Sequence, residues 1–293
     1  MARVKEFRVL VASDGSLAAT AATVTATCFP WPAGTRADGV VSREGGAGKE
    51  WNTLNDALEQ SAKSIADQVV KTLSGRWPDA RVRVADGPPA AAIVETARRS
   101  RIDVIVMGWR GHGAMQRLLA GSVSRSVVRG APCSVMVVRR AVRSVTTLVI
   151  GIDGSDQSSR AVAFSARLQP PARGRIVLVT ATPLMADPSN PLLPSEIKRS
   201  AASGVASINR SRVSEARANL LRLAKPLRAA GWRVDIALPD AAPLTALVDG
   251  VTQADADLLI VGATGASQVR RLLLGSVAQG ALDRSPVPVL VVR

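Results

Sequence analysis

Short apolar runs recur along the chain, separated by longer segments with helical spacing. The run 7–12 is apolar and stops at Asp14-Gly15-Ser16, the pattern of a buried strand followed by a turn. Ser16 or Asp14 is placed to cap the helix expected over 17–29, an Ala/Thr-rich segment of weak helical propensity. Residues 35–42 read as a poor strand, broken by Asp38 and Gly39. Helical spacing follows over 51–73 and 89–99, with a strand-like alternation at 81–85 between them. A buried strand is expected at 103–107, a helix at 122–129 and a last strand at 133–138. The second half repeats this order more cleanly, with strands at 147–152, 175–180, 233–237, 258–261 and 287–292. Alternating strands and helices predict a mostly parallel sheet covered on both faces. Such sheets take ligands beyond the carboxyl ends of their strands, near a switch point.

The two halves are copies. Met107 to Val123 reads M-G-W-R-G-H-G-A-M-Q-R-L-L-A-G-S-V, and Val261 to Val277 reads V-G-A-T-G-A-S-Q-V-R-R-L-L-L-G-S-V. Both fit G-x2-G-x9-G-S at one constant offset of 154, so Gly108, Gly111, Gly121 and Ser122 map to Gly262, Gly265, Gly275 and Ser276. Upstream, Asp14 of one D-G-S maps to Asp153 of the other at an offset of 139. The second copy therefore carries about 15 extra residues between its two motifs. The expected place is 185–210, read as a loop because Pro188, Pro191 and Pro194 fall there. Residues 140–145 form a short, extended linker.

The motifs suit a phosphate chain. Glycine lets backbone donors approach closely, and a helix N-terminus adds free N–H groups and a positive dipole end. Gly121-Ser122 and Gly275-Ser276 fall where helices begin, so each Ser hydroxyl is placed to cap its helix or donate to phosphate. Arg117 and Arg271 lie within the loops and suit the outer phosphates. The loop is not a Walker A sequence, because no Lys precedes the Ser, and G-x-G-x-x-G is not met. Asp14 and Asp153 read as turn or capping residues, as acceptors for base or ribose, or as Mg²⁺ contacts. His112 is the single histidine and has Ala266 as its counterpart, which argues against a shared catalytic role.

Charge narrows the partners. The chain of 293 residues carries 38 Lys and Arg against 23 acidic residues, and both halves share the excess. No block of five or six like charges occurs, so nucleic acid is not an expected partner. Cys28 and Cys133 read as buried apolar thiols. No segment approaches 18 consecutive apolar residues, so no membrane partner is expected. The charged N-terminus runs into a strand without a signal-peptide core, and a cytoplasmic location is expected by elimination.

These residues resemble the universal stress protein family in its tandem two-domain form, and the G-x2-G-x9-G-[S/T] spacing resembles its ATP-binding branch. The resemblance spans essentially the whole chain and includes a closing V-x-V-V-R at 135–139 and 289–293. It implies two α/β doubly wound domains, 1–141 and 142–293. Each is a five-stranded parallel sheet of order 3-2-1-4-5 with helices on both faces, and ATP sits in a cleft at the strand ends. In the family, the first-strand Asp and a residue after strand two hold adenosine, while the glycine loop holds phosphates. By position this implies Ala12, Ser13, Asp14, Val41, Met107, Gly108, Arg110, Gly111, Gly121, Ser122 and Val123 in the first copy. In the second it implies Gly151, Ile152, Asp153, Thr180, Val261, Gly262, Gly265, Gly275, Ser276 and Val277. Family members commonly dimerise through the last strand, so the joined copies are expected to form that pair internally, with a further homodimer or an unidentified protein partner open. The function expected is a nucleotide-dependent stress or signalling regulator with little turnover. The alternatives are a slow Mg²⁺-dependent ATPase and a basic scaffold or nucleic-acid-associated protein.

Overall fold

The computed structural model describes residues 6–46, 51–111, 121–185, 195–265 and 274–293. The first half runs β1 (Arg8–Ala12), α1 (Leu17–Cys28), β2 (Arg36–Arg43), α2 (Asn52–Ser74), β3 (Val82–Asp86), α3 (Pro89–Arg99), β4 (Val104–Gly108), α4 (Ser122–Gly130) and β5 (Ser134–Val138). The second runs β6 (Thr147–Gly151), α5 (Asp156–Ser165), β7 (Arg175–Val179), α6 (Ser195–Ala229), β8 (Arg233–Ala237), α7 (Pro243–Gln253), β9 (Leu258–Gly262), α8 (Ser276–Arg284) and β10 (Val289–Val292).

All ten strands join one sheet, in the order β3-β2-β1-β4-β5-β10-β9-β6-β7-β8. Each half is parallel and has the 3-2-1-4-5 order that the resemblance implies. The closing strands β5 and β10 pair with each other, antiparallel, with Leu290 opposite Met136. That pairing reverses the strand direction, so the carboxyl ends of the two halves point to opposite edges of the sheet. The apolar strand runs follow from burial on both faces. Val9, Val11, Leu148 and Leu290 face one core layer, and Leu10, Ile105, Val149 and Val291 face the other. Both layers draw residues from both halves. The linker contributes as well, since Val142 and Val145 are buried and the Val142 amide donates to Thr25 Oγ1 at 3.0 Å.

Two expectations need correction. Residues 36–43 form a continuous strand, longer than its counterpart β7. Asp38 and Gly39 do not break it, because it lies between β1 and β3 and pairs with both. Asp38 Oδ1 accepts from the Arg81 amide, and a Cβ at Gly39 would come within 2.7 Å of Val82. The glycine answers to close packing rather than to a turn. The second correction concerns the added segment of the second half. Residues 195–210 are not loop but the start of α6, which has 35 residues against 23 in α2. This stretch is rich in Ser and Ala, and the prolines that suggested a loop lie at 188–194, outside the described residues. No residue of 195–219 is buried, and Ile197 and Ile208 are half exposed. Among the described residues, no helix is long and apolar enough to cross a membrane.

Cys133 is buried as expected, whereas Cys28 is half-buried. Burial, aided by Asp103, pushes the Cys133 thiol from 9.0 up to about 12. The folded chain thus keeps a proton that an exposed thiol would lose. The stability it contributes is complete below pH 9.0 and is lost as pH rises toward 12. Iodoacetamide at pH 8 is expected to label Cys28 and spare Cys133 until urea is added, read by peptide mass; equal labelling of both in the folded protein would contradict this placement.

Candidate functional site

The D-G-S turns are built alike in both halves. Gly15 and Gly154 sit at φ of 79° and 80°, where a Cβ is strained. Ser16 and Ser155 are the N-caps of α1 and α5, each accepting a backbone amide three residues on. Asp14 Oδ1 accepts from the Ser16 amide at 3.0 Å, and Asp153 Oδ1 accepts from the Ser155 amide at 3.0 Å and its hydroxyl at 2.6 Å. Each aspartate therefore serves the turn. Its other oxygen lies where the second motif glycine has no side chain: a Cβ at Gly265 would stand 2.8 Å from Asp153 Oδ2, and one at Gly111 would overlap Asp14 Oδ2.

The glycines divide into separate tasks. A Cβ at Gly108 would fall 2.7 Å from the backbone of Ala18 and Ala19, and one at Gly262 would fall 2.8 Å from Gln157 Cβ. These first glycines let α1 and α5 pack against the ends of β4 and β9. The last glycines close the loop. Gly121 N donates to Trp109 O at 3.0 Å, and Gly275 N donates to Ala263 O at 2.8 Å. The described ends of each loop thus meet, and the second end opens directly into a helix. Gly121 and Gly275 are the N-caps, and no side chain caps either helix. Ser122 and Ser276 are therefore not the caps; they begin the helix itself. The first N–H groups of α4 and α8 have no intrahelical acceptor and carry the positive dipole end.

In the second half these parts enclose a cavity of about 280 Å³. Gly151, Ile152, Asp153, Thr180, Val261, Gly262, Gly265, Gly275, Ser276 and Val277 all line it, so every described second-half residue named from the sequence meets there. Arg117, Arg271 and His112 lie outside the described residues. The sequence reading missed Ser158, Val179, Ala181, Thr264, Ala278 and the α7 residues Pro243 and Leu247. A signal existed, since the offset of 154 also maps Pro89 to Pro243 and Ile93 to Leu247. Leu247, Val261 and Val179 supply apolar wall, and the start of α8 supplies donors.

The first half places the same parts with differences. Ser13 N donates to Val40 O at 3.0 Å, as Ile152 N does to Val179 O at 2.8 Å. Sheet register makes Val40 the counterpart of Val179, and hence Val41 that of Thr180. Val41, however, is 1% exposed and packs under Ala62 and Ala66 of α2, while Thr180 lines the cavity. Ala12 and Met107 are buried, Gly111 is exposed, and Val123 packs at the edge of the core. Arg110 replaces Thr264, and its guanidinium lies 3.9 Å from the centre of the Trp109 ring. Among the described residues, no cluster of three metal-ligating side chains occurs. Asp14 and Asp153 would need ligand oxygens to complete a Mg²⁺ shell.

Comparison with known proteins places this architecture. The universal stress protein family model matches residues 38–139 and again 145–293. The chain belongs to the universal stress protein family. Universal stress protein Rv2005c of Mycobacterium tuberculosis is 30% identical over 219 residues, which cover 70% of this chain and 66% of that protein. Universal stress protein MJ0531 of Methanocaldococcus jannaschii is 31% identical over 90 residues, 31% of this chain and 53% of that one. The aligned stretches thus span roughly half to two thirds of these curated relatives. A universal stress protein from Archaeoglobus fulgidus shares the fold over 98% of both chains, with a TM-score of 0.70 at 17% identity. The first-half match starts at residue 38, after β1 and Asp14; the sheet nevertheless places β1 between β2 and β4, as β6 lies between β7 and β9.

Proposed function

We propose that this universal stress protein binds a nucleotide of the ATP type at the carboxyl rim of each half and acts as a nucleotide-dependent regulator with little or no turnover. The observation that carries the reading is the second-half cavity. An apolar wall, an aspartate and a closed glycine loop opening an uncapped helix all converge on it. The wall suits a base, the carboxylate suits sugar or base donors, and the N–H groups suit phosphate. A Mg²⁺ ion would come with the phosphates and supply charge neutralisation, with Asp153 the carboxylate that lines this site.

Equilibrium dialysis with ATP is expected to find two nucleotides per chain, and denaturing the purified protein is expected to release the one it carries, identified by mass. Finding no nucleotide by either route would overturn the reading. Mg²⁺-dependent phosphate release at a steady rate, lost in Asp153→Ala, would move the assignment to a slow ATPase. Steeply salt-dependent DNA binding without nucleotide would move it to the basic scaffold.

A further inference from the structure

The antiparallel seam sets the carboxyl rim of each half beside the amino rim of the other. The C-terminal end of α8 thereby comes next to the loop that follows β4, and each closing strand ends in an arginine that crosses over. Arg139 Nη2 donates to Leu282 O and Asp283 O, both at 2.6 Å. Arg293 Nη2 donates to Val128 O at 2.6 Å and Arg129 O at 3.0 Å. The offset of 154 maps Arg139 to Arg293 and 128–129 to 282–283, so one contact is made twice, once in each direction. The last carbonyls of a helix lack intrahelical donors and carry the negative dipole end. One guanidinium spanning two of them satisfies both.

We propose that Arg139 and Arg293 are positioning residues that set the anion-binding helix of the opposite half. This rests on the nucleotide reading above. Each of α4 and α8 has nine residues, a rod of about 13 Å. One end presents N–H groups to the ligand, and the other is held by two hydrogen bonds from a single arginine nitrogen. A rod held so can neither slide nor turn without carrying its N–H groups out of hydrogen-bonding range. Burial lowers the pKa of both arginines, and a guanidinium is cationic at neutral pH. The two grips also differ. Arg139 lies 3.7 Å from the centre of the Trp109 ring, the residue that opens the first loop. The counterpart of Trp109 is Ala263, which offers Arg293 no ring. Arg293 therefore acts on the first site through α4, whereas Arg139 acts on the second through α8 and on the first through Trp109.

The test reads each site alone. Gly265→Val leaves the first site open, and Gly111→Val leaves the second open. In the Gly265→Val protein, Arg293→Gln is expected to weaken ATP binding about tenfold, with Arg293→Lys recovering most of the loss. In the Gly111→Val protein, the same Arg293→Gln is expected to leave affinity unchanged. Arg139→Gln is expected to weaken both. Equal weakening of both sites by Arg293→Gln, or of neither, would overturn the proposal. If the unsubstituted protein binds no ATP, the nucleotide reading fails separately. Amide hydrogen exchange then decides the positioning: Arg293→Gln should speed exchange in α4 and spare α8, and uniform or absent change would overturn it.

Discussion

Replacing Gly108 with valine is expected to cost about 3 kcal/mol of stability or more, visible as a lower urea midpoint, while valine at Gly111 costs far less. The two glycines stand three residues apart in one motif, yet they meet different neighbours. At Gly108 the added Cβ would press on the backbone of Ala18 and Ala19, 2.7 Å away. That backbone belongs to the buried face of α1, where Ala19 is 3% exposed and Ala22 and Ala26 are sealed in the core. It can yield only by moving α1 off β4, which opens a gap along the whole contact. At Gly111 the Cβ meets the end of an exposed Asp14 side chain, which can rotate away. If Gly108→Val melts like the unsubstituted protein, the packing role assigned to the first motif glycine is wrong.

Gly265→Val is expected to lower the nucleotide count from two per chain to one and to weaken the second site at least a hundredfold, about 2.7 kcal/mol. Its Cβ would press on Asp153 Oδ2, and the isopropyl group would enter a cavity of about 280 Å³. The side chain that must give way is exposed, so the urea midpoint should hold. Equilibrium dialysis with ATP checks the count, and isothermal titration checks the affinity. Retention of two tight sites would mean that the ligand does not approach the glycine loop.

Much of this was legible in the sequence because the chain states it twice. Paired motifs at constant offsets located the strand ends, and each strand end located part of the rim. Apolar runs such as 148–150 and 258–261 announce strands buried on both faces, and the structure puts them there. What escaped were features set by neighbours distant in sequence. Gly39 reads as a breaker until Val82 and Val69 are seen to crowd it. Val41 reads as a cleft residue until α2 is seen to cover it. The start of α6 reads as loop because the adjacent prolines outweigh a helical stretch, 195–219, in which no residue is buried. Pro243 and Leu247 reach the cavity from a separate helix, so no local pattern marks them.

The seam between α4 and α8 also records what covalent joining permits. Arg125 Nη2 donates to Asp283 Oδ1 at 3.1 Å, and Gln279 Nε2 donates to Asp283 Oδ2 at 3.1 Å. By the same offset, Asp283 corresponds to Arg129 and Gln279 to Arg125. Two copies of the first half paired in this way would set Arg125 of each against Arg129 of the other, a like-charge contact made twice over. A chain that owns both sides can alter one and keep the other, so repulsion becomes attraction through changes in one copy. Such a bond favours a first half paired with a second half over two first halves paired together. It makes the two halves partners of each other in particular, no longer interchangeable copies.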